Sequence, residues 1–262
     1  SYHLSLLFTI STDIAQCEGS STTSFREIPT NSHNASTSQI SRTWQKLYSA
    51  IYDANDFIET VSGRMDNWGS SDRELATIYL GEARALHALF YFELVRWYGN
   101  VVLMTSTADS RRKDETFEQT AAKDVYAYIE EDLKYAAEVL PWAVDDTRRT
   151  TNAYRFSKGA ALGLLAKVYC TWAGYPVRDE SKWAEAEKAA RRVVESGKHR
   201  LISDYETVWK NTCNGIWDAG ESLIEVSFYS PTGLDSDNTA GRIGKWNGVS
   251  ATTVEGERGR NA

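Results

Sequence analysis

The feature that most constrains the fold is a recurrence of apolar residues at spacings of three and four, found in five stretches of the chain. An α-helix has about 3.6 residues per turn, so this spacing places the apolar side chains on one helical face. It predicts amphipathic helices over residues 41–61, 72–98, 120–140, 157–173 and 181–196. Helix-terminating residues follow them: Gly63, Gly99, Pro141, Gly174 and Gly197. Ser71 and Glu74 fit a capping box for the second helix, and Ser157 is a good N-cap for the fourth.

The helices also repeat along the chain. A shift of 75 residues places Trp97-Tyr98-Gly99 of the second helix on Trp172-Ala173-Gly174 of the fourth. This spacing is close to two repeats of the tetratricopeptide type plus an insertion, although any array of helical hairpins gives a similar signal. The sequence therefore predicts a mostly α fold of tetratricopeptide-like helix pairs with long loops and a few short strands. One strand is expected over residues 221–229, where apolar and polar residues alternate.

The chain is rich in tryptophan, with nine residues. Four of them fall on apolar helix faces, where packing explains them: Trp44, Trp97, Trp172 and Trp183. The other five lie in turns and loops, where the pattern does not imply burial: Trp68, Trp142, Trp209, Trp217 and Trp246. Those that do not border a helix end are candidates for stacking on a ligand.

Composition and motifs exclude several classes of function. The net charge of −7 argues against a general nucleic-acid binder, and no apolar run is long enough to span a membrane. The cysteines and histidines lack metal-site spacing, and no nucleophile elbow, Walker loop or dinucleotide fingerprint occurs. We therefore expect no metal, no cofactor and no enzymatic activity. Cys170 is expected to be buried, and His87 to be hydrogen-bonded within an apolar helix.

Six segments, in order, resemble the SusD/RagB family of outer-membrane glycan-binding lipoproteins. The most characteristic is GEARALHALFYFELVRWYGNVVLMT (81–105), in which Asn100 and Val102 replace the Asp and Pro that are common in the family. The others are WQKLYSAIYDAND (44–56), DVYAYIEEDLKYAAEVLP (124–141), RFSKGAALGLLAKVYCTWAG (155–174), WAEAEKAARRVVESGKHRLISDY (183–205) and ESLIEVSF (221–228). The resemblance thus covers nearly all of residues 40–229.

The resemblance implies one SusD-like domain over residues 1–262, with a helical-repeat scaffold at about 40–200 and loop-rich segments at 11–40 and 211–262. It implies a cell-surface protein that captures an oligosaccharide or polysaccharide and delivers it to a SusC-like TonB-dependent outer-membrane transporter. Family members are held at the outer membrane by a lipidated N-terminal cysteine. Cys17 is internal and followed by Glu18, so we expect that lipid anchor to be absent from this chain. The resemblance also implies chains about twice this long, so we expect the family's C-terminal region to be absent as well. Starch-like, levan-like, mucin-like and plant glycans all remain open.

A sugar site needs aromatic platforms for the C–H faces of the sugar and hydrogen-bonding side chains for its hydroxyl rim. In this family the loop before the Trp44-type helix commonly contacts ligand, and loops often carry binding residues. The candidate ligand-binding residues are Asp13, Phe25, Arg26, Asn31, His33 and Asn34 in that loop, and Trp217, Tyr229 and Trp246 in the late segment. Each is otherwise a solvated loop residue.

Two other functions remain open. The helix pairs alone would fit a protein-interaction scaffold without a small-molecule ligand. A glycoside hydrolase would need two carboxylates about 5–10 Å apart in a cleft, and no spacing in the sequence favours any particular pair.

Overall fold

The computed structural model describes residues 27–111, 117–146 and 155–226, together with the backbone of two short strands. The helices are α1 (Ser38–Ser62), α2 (Ser70–Tyr98), α3 (Thr107–Ser110), α4 (Ala122–Val139), α5 (Lys158–Ala173), α6 (Lys182–Glu195) and α7 (Tyr205–Cys213). Single 3₁₀ turns occur at Met65–Asn67 and Ala143–Asp145. The strands β1 (Val249–Thr252) and β2 (Arg258–Asn261) form an antiparallel pair with Val249 opposite Asn261. The predicted mostly α fold is confirmed.

The chain divides into two compact units. The helical unit comprises residues 47–226, and the terminal unit comprises residues 1–46 and 227–262. In the helical unit α2 packs against α4, α4 against α5, and α5 against α6. Tyr91, Phe92, Leu133, Leu162 and Tyr169 are among its fully buried side chains. No helix in the described part of the chain is both long enough and apolar enough to cross a bilayer.

A glycine sets how closely α2 approaches the end of α4. A Cβ atom at Gly81 would lie 2.5 Å from Val139 Cγ2 and 3.0 Å from Leu140 Cδ2. Both distances are too short for packed carbon atoms, so only glycine permits this approach without displacing the two side chains. This close approach explains why glycine, a residue of low helix propensity, stands in the middle of a long helix.

Two local predictions are wrong, one about the N-terminus of a helix and one about a strand. Helix α2 begins at Ser70 after Gly69, which makes no side-chain cap, so Ser71 lies inside the first turn and cannot form the capping box with Glu74. Residues 221–226 form no strand, and residues 227–229 of the expected strand lie outside the described residues. Alternation alone does not make a strand, because a strand also needs a neighbouring strand for its backbone hydrogen bonds. The Ser157 cap is confirmed, since its Oγ accepts from Ala160 N at 3.2 Å.

Two burial predictions are also wrong. Cys170 is exposed on α5, although its neighbours Val168 and Tyr169 are buried. Trp183 on α6 is 52% exposed, whereas Trp172 on α5 is buried as predicted. Both residues lie next to an apolar stripe, where the sequence pattern does not decide whether a neighbouring helix covers the position.

A polar cluster around Glu130 joins α4, α5 and α6. The Glu130 carboxylate accepts hydrogen bonds from Lys134 (2.5 Å), Lys182 (2.9 Å) and Tyr169 (2.9 Å). Lys182 also lies 3.8 Å from the centre of the Trp172 ring, a cation–π geometry. Burial by itself would raise the pKa of Glu130, but the hydrogen bonds from Lys134, Lys182 and Tyr169 outweigh it and lower the pKa.

This lowered pKa predicts a pH dependence of stability. The ionised form of Glu130 is favoured in the folded state, so its contribution is present above the carboxyl's ordinary value of 4.5 and is lost as pH falls through the lower folded value. We expect the unfolding free energy to fall more steeply with acidification below about pH 4.5 in the original protein than in Glu130→Gln. Urea titrations at pH 6, 5, 4 and 3 measure this, with the exposed Glu187→Gln on α6 as control. Parallel pH profiles for the original protein and Glu130→Gln would contradict the assignment.

Candidate functional site

The segment after α6 returns close to the segment after α7. Gly197, with a φ of 66°, turns the chain out of α6. Arg200 N then donates to Gly220 O at 2.9 Å. Asp218 Oδ1 accepts from Gly220 N at 2.8 Å and from Glu221 N at 3.2 Å, so the side chain stabilises its own turn. These bonds bring two polar segments together that lie about twenty residues apart in sequence.

An open cavity of about 590 Å³ lies between these segments. Its size falls within the range of small-ligand sites. It is lined by Val144, Gly197, Lys198, His199, Arg200, Asn211, Ile216, Trp217, Asp218, Ala219 and Gly220. The lining therefore combines an aromatic ring and aliphatic groups with an amide and several charged groups.

The charged groups of the cavity are paired. Arg200 Nη1 and Nη2 donate to Asp218 Oδ1 and Oδ2 at 3.0 and 2.8 Å, a bidentate pair. The hydrogen bonds from Arg200 hold the pKa of Asp218 below its ordinary value, and those to Asp218 raise the pKa of Arg200. Lys198 Nζ donates to Asp145 Oδ1 at 2.8 Å. The guanidinium is thus fixed in direction while its side chain remains 62% exposed.

His199 forms a rigid wall of the cavity. Its Nδ1 donates to Gly220 O at 3.3 Å, and its ring meets the Trp142 ring edge-on at 5.7 Å between centroids. A Cβ at Gly159 of α5 would lie only 2.3 Å from His199 Nε2, so the imidazole fills the space that a side chain there would occupy. Because the ring is packed on these sides, His199 supports the cavity rather than offering a free nitrogen.

Trp217 is the sequence-predicted residue that this cavity contains. Its side chain is half-buried, and its Nε1 is enclosed with no hydrogen-bond partner among the described residues. Asn211, in α7, makes no side-chain hydrogen bond within the same residues, so its amide is available to a ligand. A half-buried indole beside an unpaired amide can bind a molecule that is apolar on one face and hydroxylated at its rim.

Three other predicted residues share one exposed turn in the terminal unit. Asn31, His33 and Asn34 all lie in residues 27–37, and Asn31 adopts a left-handed φ of 53°. Asn34 Oδ1 accepts from Ser36 N at 2.8 Å, so this side chain stabilises the turn before α1. The remaining predicted residues lie outside the described residues: Asp13, Phe25, Arg26, Tyr229 and Trp246.

Sequence reasoning missed most of the polar residues of the cavity: Lys198, Arg200, Asn211 and Asp218. A signal for the first two exists in the sequence, because Gly197 is followed by Lys-His-Arg directly after an amphipathic helix. No comparable signal marks Asn211 or Asp218, since their role depends on how α7 and the following turn are placed.

Comparison with known proteins identifies the family of this chain. A family model of SusD-like proteins, described as "Starch-binding associating with outer membrane", matches residues 3–170. A curated SusD-like protein of Bacteroides ovatus is 29% identical over 193 residues, which is 72% of this chain and 33% of the relative.

Solved structures of SusD-like proteins are also similar to this chain. The crystal structure of a SusD homologue from Bacteroides thetaiotaomicron is similar over the whole of this chain and 49% of its own, with 59% identity and a TM-score of 0.90. A laminarin-binding SusD-like protein is similar over 91% of this chain and 49% of its own, with 25% identity and a TM-score of 0.69. The chain therefore spans about half the length of these solved relatives and about a third of the curated one.

Proposed function

The chain belongs to the SusD-like family of starch-binding proteins that associate with the outer membrane, and from this premise we propose that it captures an oligosaccharide at the cell surface and delivers it to a SusC-like TonB-dependent transporter. Because the chain spans only part of its relatives, capture and delivery are proposed for the protein as a whole. Binding occurs without turnover and without a cofactor. A lipid anchor holds the full-length protein at the outer membrane, and residues 1–262 belong to a single SusD-like domain.

The observation that carries the proposal is the cavity beside Trp217. A sugar ring has an apolar C–H face and a rim of hydroxyl groups. The half-buried Trp217 ring suits the first, and the unpaired Asn211 amide and the free N–H groups of Arg200 suit the second. That a similar protein is named as laminarin-binding supports a glucan-like oligosaccharide among the ligands to be tested.

The exposed turn of the terminal unit is proposed as a further ligand contact. Asn31 and His33 are exposed and make no side-chain hydrogen bond within the described residues. Together with Asn34 they offer polar groups to a hydroxylated ligand. The proposed contacts outside the described residues are Asp13, Phe25, Arg26, Tyr229 and Trp246.

Delivery needs a surface for the transporter, and an apolar cleft in the helical unit is our candidate. It has a volume of about 540 Å³, and its lining includes Phe57 and Leu86, each 41% exposed. Exposed apolar surface of this kind is typical of protein interfaces. The same cleft favours the second candidate function, a protein-interaction scaffold without a small-molecule ligand.

Trp217→Ala tests the capture site. If the indole covers about 60 Å² of apolar sugar surface at about 25 cal/mol per Å², its loss costs about 1.5 kcal/mol. We therefore expect a dissociation constant roughly tenfold higher, measured by titration calorimetry with laminari-, malto- and other oligosaccharides.

Trp183→Ala is the matched control, because Trp183 is exposed on α6 and does not line the cavity. Unchanged affinity in Trp217→Ala, with binding intact, would move the capture site to the terminal unit. If no oligosaccharide binds even at millimolar concentration, the capture function is rejected and the scaffold alternative is preferred. Products of glycan cleavage would instead identify a hydrolase.

A further inference from the structure

The cavity beside Trp217 has unused hydrogen-bond donors on its side chains. A guanidinium has five N–H bonds; two of those of Arg200 point to Asp218, which leaves three. An ammonium has three N–H bonds; one of those of Lys198 points to Asp145, which leaves two. The side chains of Arg200 and Lys198 are 62% and 39% exposed, so a ligand can reach these donors.

The carboxylate that lines the cavity, Asp218, already accepts four hydrogen bonds, as many as its two oxygens have lone pairs. Asp218 Oδ1 accepts from Arg200, Gly220 N and Glu221 N, and its Oδ2 accepts a second bond from Arg200. Asp145 accepts one bond, from Lys198, and does not line the cavity. The amide oxygen of Asn211 is the unpaired side-chain acceptor that lines the cavity in the described part of the chain.

Among the side chains that line this cavity, free donors outnumber free acceptors, which favours a ligand that only accepts. A sugar hydroxyl both donates and accepts, so a neutral sugar leaves several of these N–H groups without a partner. A carboxylate accepts only, and its planar shape matches a guanidinium whose direction is already fixed. Preorganisation by Asp218 lowers the entropic cost of binding.

Building on the proposed function, we propose that the oligosaccharide bound in this cavity is acidic, with a hexuronate carboxylate that accepts hydrogen bonds from Arg200 and Lys198 while the sugar ring lies on Trp217. The charges of Lys198, Arg200, Asp145 and Asp218 sum to zero, and the chain carries a net charge of −7. Long-range attraction therefore does not select an acidic glycan, and short-range hydrogen bonds carry the preference.

The test compares each acidic ligand with its own neutral form. Oligomers of galacturonate, glucuronate and mannuronate are titrated into the protein by calorimetry, each beside the derivative in which the carboxylate is reduced to a hydroxymethyl group. We expect at least one acidic oligomer to bind tenfold or more tightly than its reduced form. Arg200→Met should remove most of this preference, so that an acidic oligomer and its reduced form bind this variant with affinities within about twofold of each other. Arg200→Lys, which keeps the charge without the planar fork, should retain part of the preference.

Arg192→Met is the matched control, since Arg192 on α6 is paired with Glu138 at 3.0 Å and does not line the cavity. If every acidic oligomer binds only as tightly as its reduced form, the proposal of an acidic ligand is wrong, but oligosaccharide capture stands. A preference that survives both Arg200→Met and Lys198→Met would overturn the assignment to this cavity. If a sulfated oligosaccharide binds more tightly than every hexuronate oligomer, the proposal that the acidic group is a carboxylate is wrong. Absence of binding to any oligosaccharide would reject the proposed function as well.

Discussion

Replacement of Asp132 by alanine is expected to lower the free energy of unfolding by about 3 kcal/mol, near the upper end of the cost of leaving a buried polar group without its hydrogen-bond partner. Asp132 Oδ2 lies 2.8 Å from His87 Nδ1, and the two residues are 5% and 1% exposed. His87 has no other hydrogen bond in the described residues, because its Nε2 is enclosed without a partner. Loss of the carboxylate would therefore leave a buried imidazole N–H with no acceptor.

The comparison variants separate hydrogen bonding from charge and volume. Asp132→Asn keeps the shape and one acceptor for His87, so we expect it to lose less stability than Asp132→Ala. Glu131→Ala removes an exposed carboxylate from the next position of α4 and should change stability by about 0.5 kcal/mol or less. Urea unfolding at one fixed pH gives all three values. A loss below about 1 kcal/mol in Asp132→Ala would mean that His87 finds another partner or water.

The second large effect is expected from Tyr91→Phe, which should cost about 2–3 kcal/mol. The Tyr91 hydroxyl accepts from Met104 N at 2.7 Å and donates to Met104 O at 3.0 Å, and the residue is fully buried. Met104 O also accepts from Asn55 at 3.0 Å, so the carbonyl keeps a partner in the variant. The Met104 N–H does not, and this part-buried N–H without a partner carries most of the expected cost.

Amide hydrogen exchange at Met104 gives a local measurement of this effect. We expect exchange at that amide to accelerate strongly in Tyr91→Phe and to stay unchanged in Tyr135→Phe, whose hydroxyl makes no hydrogen bond within the described residues. Tyr48→Phe removes a bond of 2.8 Å to Val102 O in the same segment and should have a smaller effect on the Met104 amide, because this bond does not involve that N–H. Met104 protection that is equal in Tyr91→Phe and the original protein would contradict the role assigned to this hydroxyl.

The periodic pattern located all five long helices, and each begins within three residues of its predicted start. It also placed His87 correctly, as a hydrogen-bonded residue in an apolar helix. The pattern failed where the outcome depended on a neighbour that the sequence does not specify. Trp183 and residues 221–226 have sequences suited to burial and to a strand, yet Trp183 is exposed and residues 221–226 have no strand partner in the described residues.

The short α7 was also not predicted, because nine residues give too few turns for a clear apolar stripe. This helix carries Asn211, so the missed helix and the missed site residue have one cause. Trp217 was proposed from its place in a loop and its ring chemistry, while its partners in the cavity became visible only in three dimensions.

The sequence alone determined the long helices, the mostly α fold and the family, because each depends on local spacing or on motifs in a fixed order. Only the tertiary structure decided which polar residues meet. Arg200 and Asp218 are 18 residues apart in sequence and form a bidentate pair because a backbone hydrogen bond from Arg200 to Gly220 aligns their segments. Which donors stay free, and whether the Asp218 carboxylate is fully occupied, depends on distances and directions between segments, and no local sequence pattern encodes these.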